Sequence, residues 1–242
     1  MHPEKDSFIL EVCVESLTNA LLASHSGADR IELCHQLACG GVTPSFRDVR
    51  NALEKLACPL VVLVRPHGGG FEYDDREKKE LLHTLEQLSD AGVAGFAVGA
   101  IAGIAWDHSL LQEMTRVAPG KQFVAHRAID QLIGCEPLGM DRMEQIVEPL
   151  IELGFTRILT SGGYATAWQG ASNIAKLVEY SHDRIEILAG GGILPENALQ
   201  IIRTTEVRQI HGSFKRLDAE QPGINVDIDQ VRQVRSLLDG LK

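Results

Sequence analysis

Short apolar runs recur along the chain, each giving way to a polar or glycine-rich tip and then to a stretch of helical periodicity, at roughly thirty residues per unit. The runs cover 8–14, 31–34, 60–64, 96–98, 122–126, 157–160, 185–189 and 209–211. Strands joined through crossover helices lie parallel, because each helix returns the chain to the same edge of the sheet. Eight such units in a chain of 242 residues predict an α/β fold, a (β/α)8 TIM barrel with residues 1–242 as a single domain. An open doubly wound sheet is the next reading.

The helical stretches carry readable ends. Asp74-Asp75-Arg76-Glu77 places acids in the first turn of a helix whose apolar positions Leu81, Leu82, Leu85 and Leu88 run up to Gly92. Pro195-Glu196-Asn197 opens another, with proline where a missing N–H costs nothing. The last stretch, 228–241, carries Val231, Val234, Leu237, Leu238 and Leu241 at helical spacing and closes the ring. Residues 217–223 read as the loop after the last strand.

Alternation within the strands says which side chains enter the barrel. In the first run Leu10, Val12 and Val14 share the face that meets the helices, which sends Glu11 and Cys13 inward; in the second, Ile31 and Leu33 face outward and Glu32 and Cys34 inward. Carboxylates stripped of water need partners, since an unpaired buried ion costs several kcal/mol. Arg65, His126, Arg127 and His67, all at strand C-terminal ends, are the expected cations. Active sites of such barrels gather at that rim, so Glu11, Glu32, Arg65, His126 and Arg127 are the candidate catalytic set, against the alternative that the charges only plug the lumen and fix register. Asp130, four residues after His126, either holds the imidazole or caps the loop, with capping the simpler role.

Composition narrows the function classes. The chain is 44% apolar, yet no apolar stretch approaches the roughly 20 residues of a membrane helix. Residues 1–7 are polar, with no basic head before an apolar stretch, so the expected location is the cytoplasm. A net charge of −10 without a basic block disfavours phosphate-backbone binding to nucleic acid and leaves room only for a local cationic pocket. Such a pocket is expected late in the chain. Thr160-Ser161-Gly162-Gly163, Ala189-Gly190-Gly191-Gly192 and His211-Gly212-Ser213 end three successive strands, and barrels often bind a phosphate or carboxylate with loops of this kind. Ser161, Gly162, Gly190, Gly191 and Ser213 are the candidate cradle for a small anionic ligand, with Lys215 or Arg216 adding charge; tight turning alone is the competing explanation of the glycines.

The five cysteines, Cys13, Cys34, Cys39, Cys58 and Cys135, form no Cys-x-x-Cys pair and are expected to be free thiols. Four of them fall near the rim, where Cys34 with Cys13 or Cys39, helped by His35, His67 or His126, suffices chemically for Cu(I). Buried thiols also serve as small apolar filler. Met140 and Met143 are a further soft pair, at the spacing of a helix face that packs on the barrel.

Over nearly its whole length the chain resembles the copper homeostasis family CutC. The resemblance is carried by Gly27-Ala28-Asp29-Arg30-Ile31-Glu32-Leu33-Cys34, Gly40-Gly41-Val42-Thr43-Pro44-Ser45, Arg65-Pro66, Gly68-Gly69 with Phe71, His126-Arg127-Ala128 with Asp130, Ile158-Leu159-Thr160-Ser161-Gly162-Gly163 and Ala189-Gly190-Gly191-Gly192. It implies a cytoplasmic barrel that self-associates as a homodimer or higher homo-oligomer, a role in copper handling, Cys34 as the copper-linked thiol, and Glu11, Glu32, Arg65, His126 and Arg127 as the polar rim; Cys13, inward beside Cys34, is the second thiol chosen as a metal ligand. The chain departs from the family pattern at His67 and Gly70, where Arg and Asp are usual, and at Ala125 and Ile129, where Phe is usual. Two functions follow as expectations: a Cu(I)-binding homeostasis protein, or a metal-independent enzyme that moves a proton on a small phosphorylated or carboxylated metabolite.

Overall fold

A computed structural model describes residues 7–217 and 224–241. Residues 1–6, whose polarity bears on targeting, and most of the expected loop 217–223 lie outside the described residues. The strands are β1 (Ile9–Val14), β2 (Arg30–Leu33), β3 (Leu60–Leu63), β4 (Gly95–Val98), β5 (Ile101–Ala102), β6 (Ala105–Trp106), β7 (Gln122–Ala125), β8 (Arg157–Thr160), β9 (Glu186–Gly190), β10 (Gln209–Gly212), β11 (Lys215–Leu217) and β12 (Ile224–Val226). The helices are α1 (Leu17–His25), α2 (Phe46–Lys55), α3 (Asp75–Asp90), α4 (His108–Val117), α5 (Ala128–Ile133), α6 (Met140–Glu152), α7 (Ala171–Ser181), α8 (Pro195–Thr205) and α9 (Ile228–Asp239).

Eight strands close a parallel barrel in the order β1-β10-β9-β8-β7-β4-β3-β2, so the barrel reading holds over the open sheet. The eight apolar runs are these eight strands, displaced by a residue or so at their ends. The pattern does not announce two small antiparallel hairpins, β5-β6 and β11-β12, or the short α5 behind β7. All three sit after strand C-terminal ends, where they build up the rim. Among the described residues no helix is long and apolar enough to cross a membrane.

Local chemistry sets the helix starts. The Asp74 carboxylate accepts from the N–H groups of Arg76 and Glu77 at 2.9 and 2.8 Å, while the Glu77 carboxylate accepts from Asp74 N–H at 2.9 Å, a reciprocal cap that fixes the start of α3. Pro195 is the first residue of α8, and Asp227 caps α9.

Two apolar layers follow from the alternation. Leu10, Val12, Val14, Ile31 and Leu33 pack outward with the helices, and the lumen is filled by Cys13, Cys34, Val61, Leu63, Ala97, Val124, Leu159 and Leu188. Nearer the N-terminal ends of their strands, Glu11, Arg30, Arg157, Glu186 and Gln209 form a polar tier that closes the lower lumen.

Candidate functional site

A cavity of about 950 Å³ opens at the C-terminal ends of the barrel strands. Of the residues singled out in the sequence, Glu32, Cys13, Arg65, His126, Arg127, Gly191 and Ser213 border it. Glu11, Cys34, Ser161, Gly162 and Gly190 do not, and each has a structural neighbour that explains why.

Glu11 lies in the polar tier, fully buried. Its carboxylate accepts from Arg30 Nε and, at 2.7 Å, from His211 Nδ1, because the register sets Glu11 opposite Arg30 on β2 and opposite His211 on β10. Burial raises the Glu11 pKa, but Arg30, His211 and the nearby Arg157 outweigh it and hold the carboxyl below the usual range. The cations that neutralise the lumen are thus Arg30 and His211, which corrects the expectation of Arg65, His126 and Arg127. Arg30 also donates to Gln209 Oε1 at 2.8 Å, and Gln209 donates to Glu186. Arg157, with Nε and Nη2 unpartnered, is pushed down to about 10 by burial and by Arg30.

Above this tier Cys13 Sγ, a Glu32 carboxylate oxygen and a His211 ring nitrogen lie within 4.8 Å of one another, the one such cluster of potential metal ligands among the described residues. Glu32 is 4% exposed and its Oε2 has no hydrogen-bond partner. Burial raises its pKa, the His211 charge lowers it, and Glu11 raises it again, with a net rise. Burial disfavours charge on His211, but Glu32 and Glu11 outweigh that and raise its pKa. The two groups therefore hold protons more tightly than either would in water, and they share one neighbourhood. In the sequence His211 stands out only as the end of a strand. The signal that finds it is Glu11 itself, which needs a cation at the same height on an adjacent strand.

Cys34 is fully buried, 3.5 Å from Cys13 Sγ to Sγ and 3.6 Å from Val14 O. The contact with Cys34, then burial, raises the Cys13 pKa. None of the other soft candidates joins the cluster of Cys13, Glu32 and His211, although Cys39 also borders the cavity. Cys39 Sγ donates to Gln36 O at the rim, Cys135 Sγ donates to Gly163 O, and His35 borders a separate crevice beside α2 and α3. His67 pairs with Glu77 at 2.9 Å, and Met143 is buried while Met140 is 63% exposed, so only Met143 packs as expected.

Arg65 Nη1 donates to Gly41 O at 3.2 Å, Nη2 donates to Gly69 O, and the guanidinium lies 4.6 Å from the Phe71 ring centroid. The other face of this wall is His126, whose ring centroid is 4.8 Å from that of Phe71. His126 Nδ1 accepts from Ala128 N–H at 3.1 Å, leaving the proton on Nε2, which is buried without a partner. Burial, then the Arg65 charge, pulls its pKa down to about 3. A buried unmet donor costs about 1–3 kcal/mol. His126 is consequently a neutral donor, not the proton carrier that its residue type suggests.

The opposite wall is fully wired. Asp130 accepts from Thr160 Oγ1 at 2.6 Å, Ser161 N–H at 3.1 Å, Gly163 N–H at 3.0 Å and Arg127 Nε at 2.7 Å, which makes it the loop cap and not a holder of the imidazole. Arg127 Nη2 donates to Ser161 Oγ at 2.5 Å and to Tyr164 O at 3.2 Å. These contacts aim the remaining Nη1 at the β9 loop: a Cβ added at Gly191 would stand 3.4 Å from it. Gly191 and Gly192 take φ of +102° and +69°, where side chains are strained. Ser161 is buried in this wiring, a Cβ on Gly162 would strike the Gly170 carbonyl, and one on Gly190 would stand 2.5 Å from Leu159 Cδ1. Those three serve packing. The part of the expected cradle that borders the cavity is Gly191 and Ser213, with Lys215 alongside.

Comparisons with known proteins agree with the geometry. A family model for the CutC family matches residues 8–216. The chain is 37% identical over 221 residues to the family protein CutC of Treponema denticola, covering 90% of this chain and 87% of that protein. It is 35% identical over 215 residues to that of Agrobacterium fabrum, covering 88% and 82%. A crystal structure of CutC from Streptococcus agalactiae, whose assigned name places that protein in copper homeostasis, superposes with a TM-score of 0.79 at 30% identity, covering 85% of this chain and 98% of that one. Thiamine phosphate pyrophosphorylase from Pyrococcus furiosus, at 15% identity and a TM-score of 0.62 over 98% of each chain, shares the fold alone.

Proposed function

The chain belongs to the CutC family, and we propose that its barrel binds a small phosphorylated or carboxylated molecule at the mouth and moves a proton on it. One observation carries this reading: a single cavity has a pre-aimed cation on one wall and, on its floor, a buried carboxyl with an unused oxygen beside an imidazole. The anionic end of the ligand takes Arg127 Nη1, the Gly191–Gly192 backbone and Ser213, a set of donors suited to an oxyanion. Glu32, kept protonated more readily than a carboxyl in water, delivers or removes the proton at the reacting end, and His211 shares it. Glu11 is a positioning residue that fixes the His211 ring. A thermal-shift titration with inorganic phosphate tests the grip: the midpoint should rise in the parent protein and in Glu32→Gln but not in Arg127→Ala. Absence of a saturable shift with phosphate and with a panel of phosphorylated and carboxylated metabolites would sink the reading.

A second reading rests on the thiol pair. Two sulfurs 3.5 Å apart, with Glu32 and His211 next to Cys13, suit Cu(I) as cargo in line with the implied family role. Because the Cys13 thiol holds its proton firmly, binding must release protons and tighten as pH rises. Competition with a strong Cu(I) chelator should show a bound equivalent in the parent protein that disappears in Cys34→Ser; unchanged stoichiometry removes the thiol pair from consideration.

A further inference from the structure

We propose that His126 is a fixed, uncharged hydrogen-bond donor for a carbonyl or enolate oxygen, so that the molecule bound in the mouth is an oxo compound carrying a phosphate or carboxylate at its other end. This rests on the anion-binding reading above and adds the chemistry of the reacting end.

The ring has no freedom to play another part. Its Nδ1 accepts the Ala128 N–H at 3.1 Å, which places the only ring proton on Nε2. Phe71 lies against the ring at a centroid distance of 4.8 Å, and Gly99 lets the backbone of β4 approach so closely that a Cβ there would sit 2.6 Å from His126 Nδ1. The residue is 4% exposed, borders the cavity, and Nε2 has no partner among the described residues. The charged group facing the ring is Arg65, from the end of β3, which disfavours an imidazolium at the same place. A neutral N–H held in this way cannot accept a proton from carbon, and it does not lose strength to water. It suits an oxygen on which negative charge develops while a neighbouring carbon loses a proton.

The groups for that loss stand in the same cavity. Glu32 takes the proton from carbon and the electron pair passes to the oxygen, which accepts a hydrogen bond from His126 Nε2–H; the protonated Glu32 then returns its proton to carbon or to oxygen, giving the carbonyl compound or its enol with no oxidant or co-reactant. Arg127 and the Gly191 loop hold the distal anion so that the carbonyl meets His126, the residue adjoining Arg127 at the end of β7.

Calorimetric titration with phosphoglycolohydroxamate, an analogue of an enediolate phosphate, and separately with inorganic phosphate tests the proposal. The parent protein should bind the hydroxamate at least about tenfold tighter than phosphate, the factor carried by one well-placed hydrogen bond. His126→Phe should lose that preference and keep its phosphate affinity. Equal preference in both proteins overturns the role of His126 while leaving the anion site standing, whereas absence of saturable phosphate binding in the parent overturns both. Should His126→Phe fail to fold, ¹⁵N spectra of the histidine rings of the parent protein decide: His126 should keep a proton on Nε2 alone from pH 5 to pH 8. A proton on Nδ1, or charging within that range, overturns the proposal.

Discussion

The two walls of the mouth are built on opposite plans. At the ends of β7 and β8, Asp130 gathers donors from Arg127, Thr160, Ser161 and Gly163, and Arg127 is left with only Nη1 uncommitted. On β2, and at His126 where β7 ends, polar atoms of Glu32 and His126 are enclosed with nothing to bond. Completed hydrogen bonding fixes geometry before a ligand arrives, which suits a grip; unmet polar groups are costly in the resting protein and suit the place where charge will appear. In the proposed function the grip and the reactive floor are thus separable, and mutation should separate them.

The largest effect is expected beneath the floor. Glu11→Gln leaves Arg30 buried without its ion-pair partner and His211 with Glu32 alone, and should lower unfolding stability at pH 7 by about 3–5 kcal/mol in chemical denaturation. The sign with pH is also set. A carboxyl held below its ordinary value of 4.5 contributes stability above that pH and loses it as the pH falls, so the parent should weaken more steeply in acid than the variant. A loss below about 1 kcal/mol would show that the polar tier does not depend on this residue.

A smaller effect is expected at the wired wall. Asp130→Ala frees the donors of Ser161 and Gly163 and releases Arg127, which should cost about 2 kcal/mol of stability and about tenfold in phosphate affinity, the latter read by calorimetry. Phosphate binding at parental strength in a folded Asp130→Ala protein would break the link between wiring and grip.

The smallest change in stability belongs to Glu32. Its folded pKa is raised, so it imposes a penalty that appears as the pH rises above the ordinary value of 4.5. Glu32→Gln should therefore be as stable as the parent below that pH and equal or more stable at neutrality, within about 1 kcal/mol, while phosphate still binds. Marked destabilisation at neutral pH would mean that the carboxylate is structural, erasing the contrast between the walls.

Much of this was legible in one dimension. Period-two alternation in 9–14 and 30–33 is enough to send Glu11, Cys13, Glu32 and the following Cys34 into the lumen, because a side chain on a strand has only two faces and the apolar one must meet the helices. Arg65, His126 and Arg127 were legible as rim residues for a similar reason, since each directly follows or adjoins the end of a strand. The partners were not. Glu11 and His211 are 200 residues apart and meet only because β10 closes against β1, and Arg30 was overlooked although it shares the inward face with Glu32.

Glycine shows the boundary most plainly. Gly162, Gly190 and Gly191 look alike in sequence, yet a Cβ on the first would meet the Gly170 carbonyl, on the second the Leu159 side chain, and on the third the Ser161 Cβ and then the edge of the Arg127 guanidinium. Likewise the histidine at 126 is a donor because Ala128 N–H occupies its other nitrogen. By itself the sequence determined the number of strands, their inward faces and the end at which polar chemistry collects, because these depend on periodicity and covalent order. Tertiary structure alone decided which charge neutralises which, which glycine faces the cavity and which nitrogen keeps its proton, because each of those depends on an atom brought near by closure of the barrel.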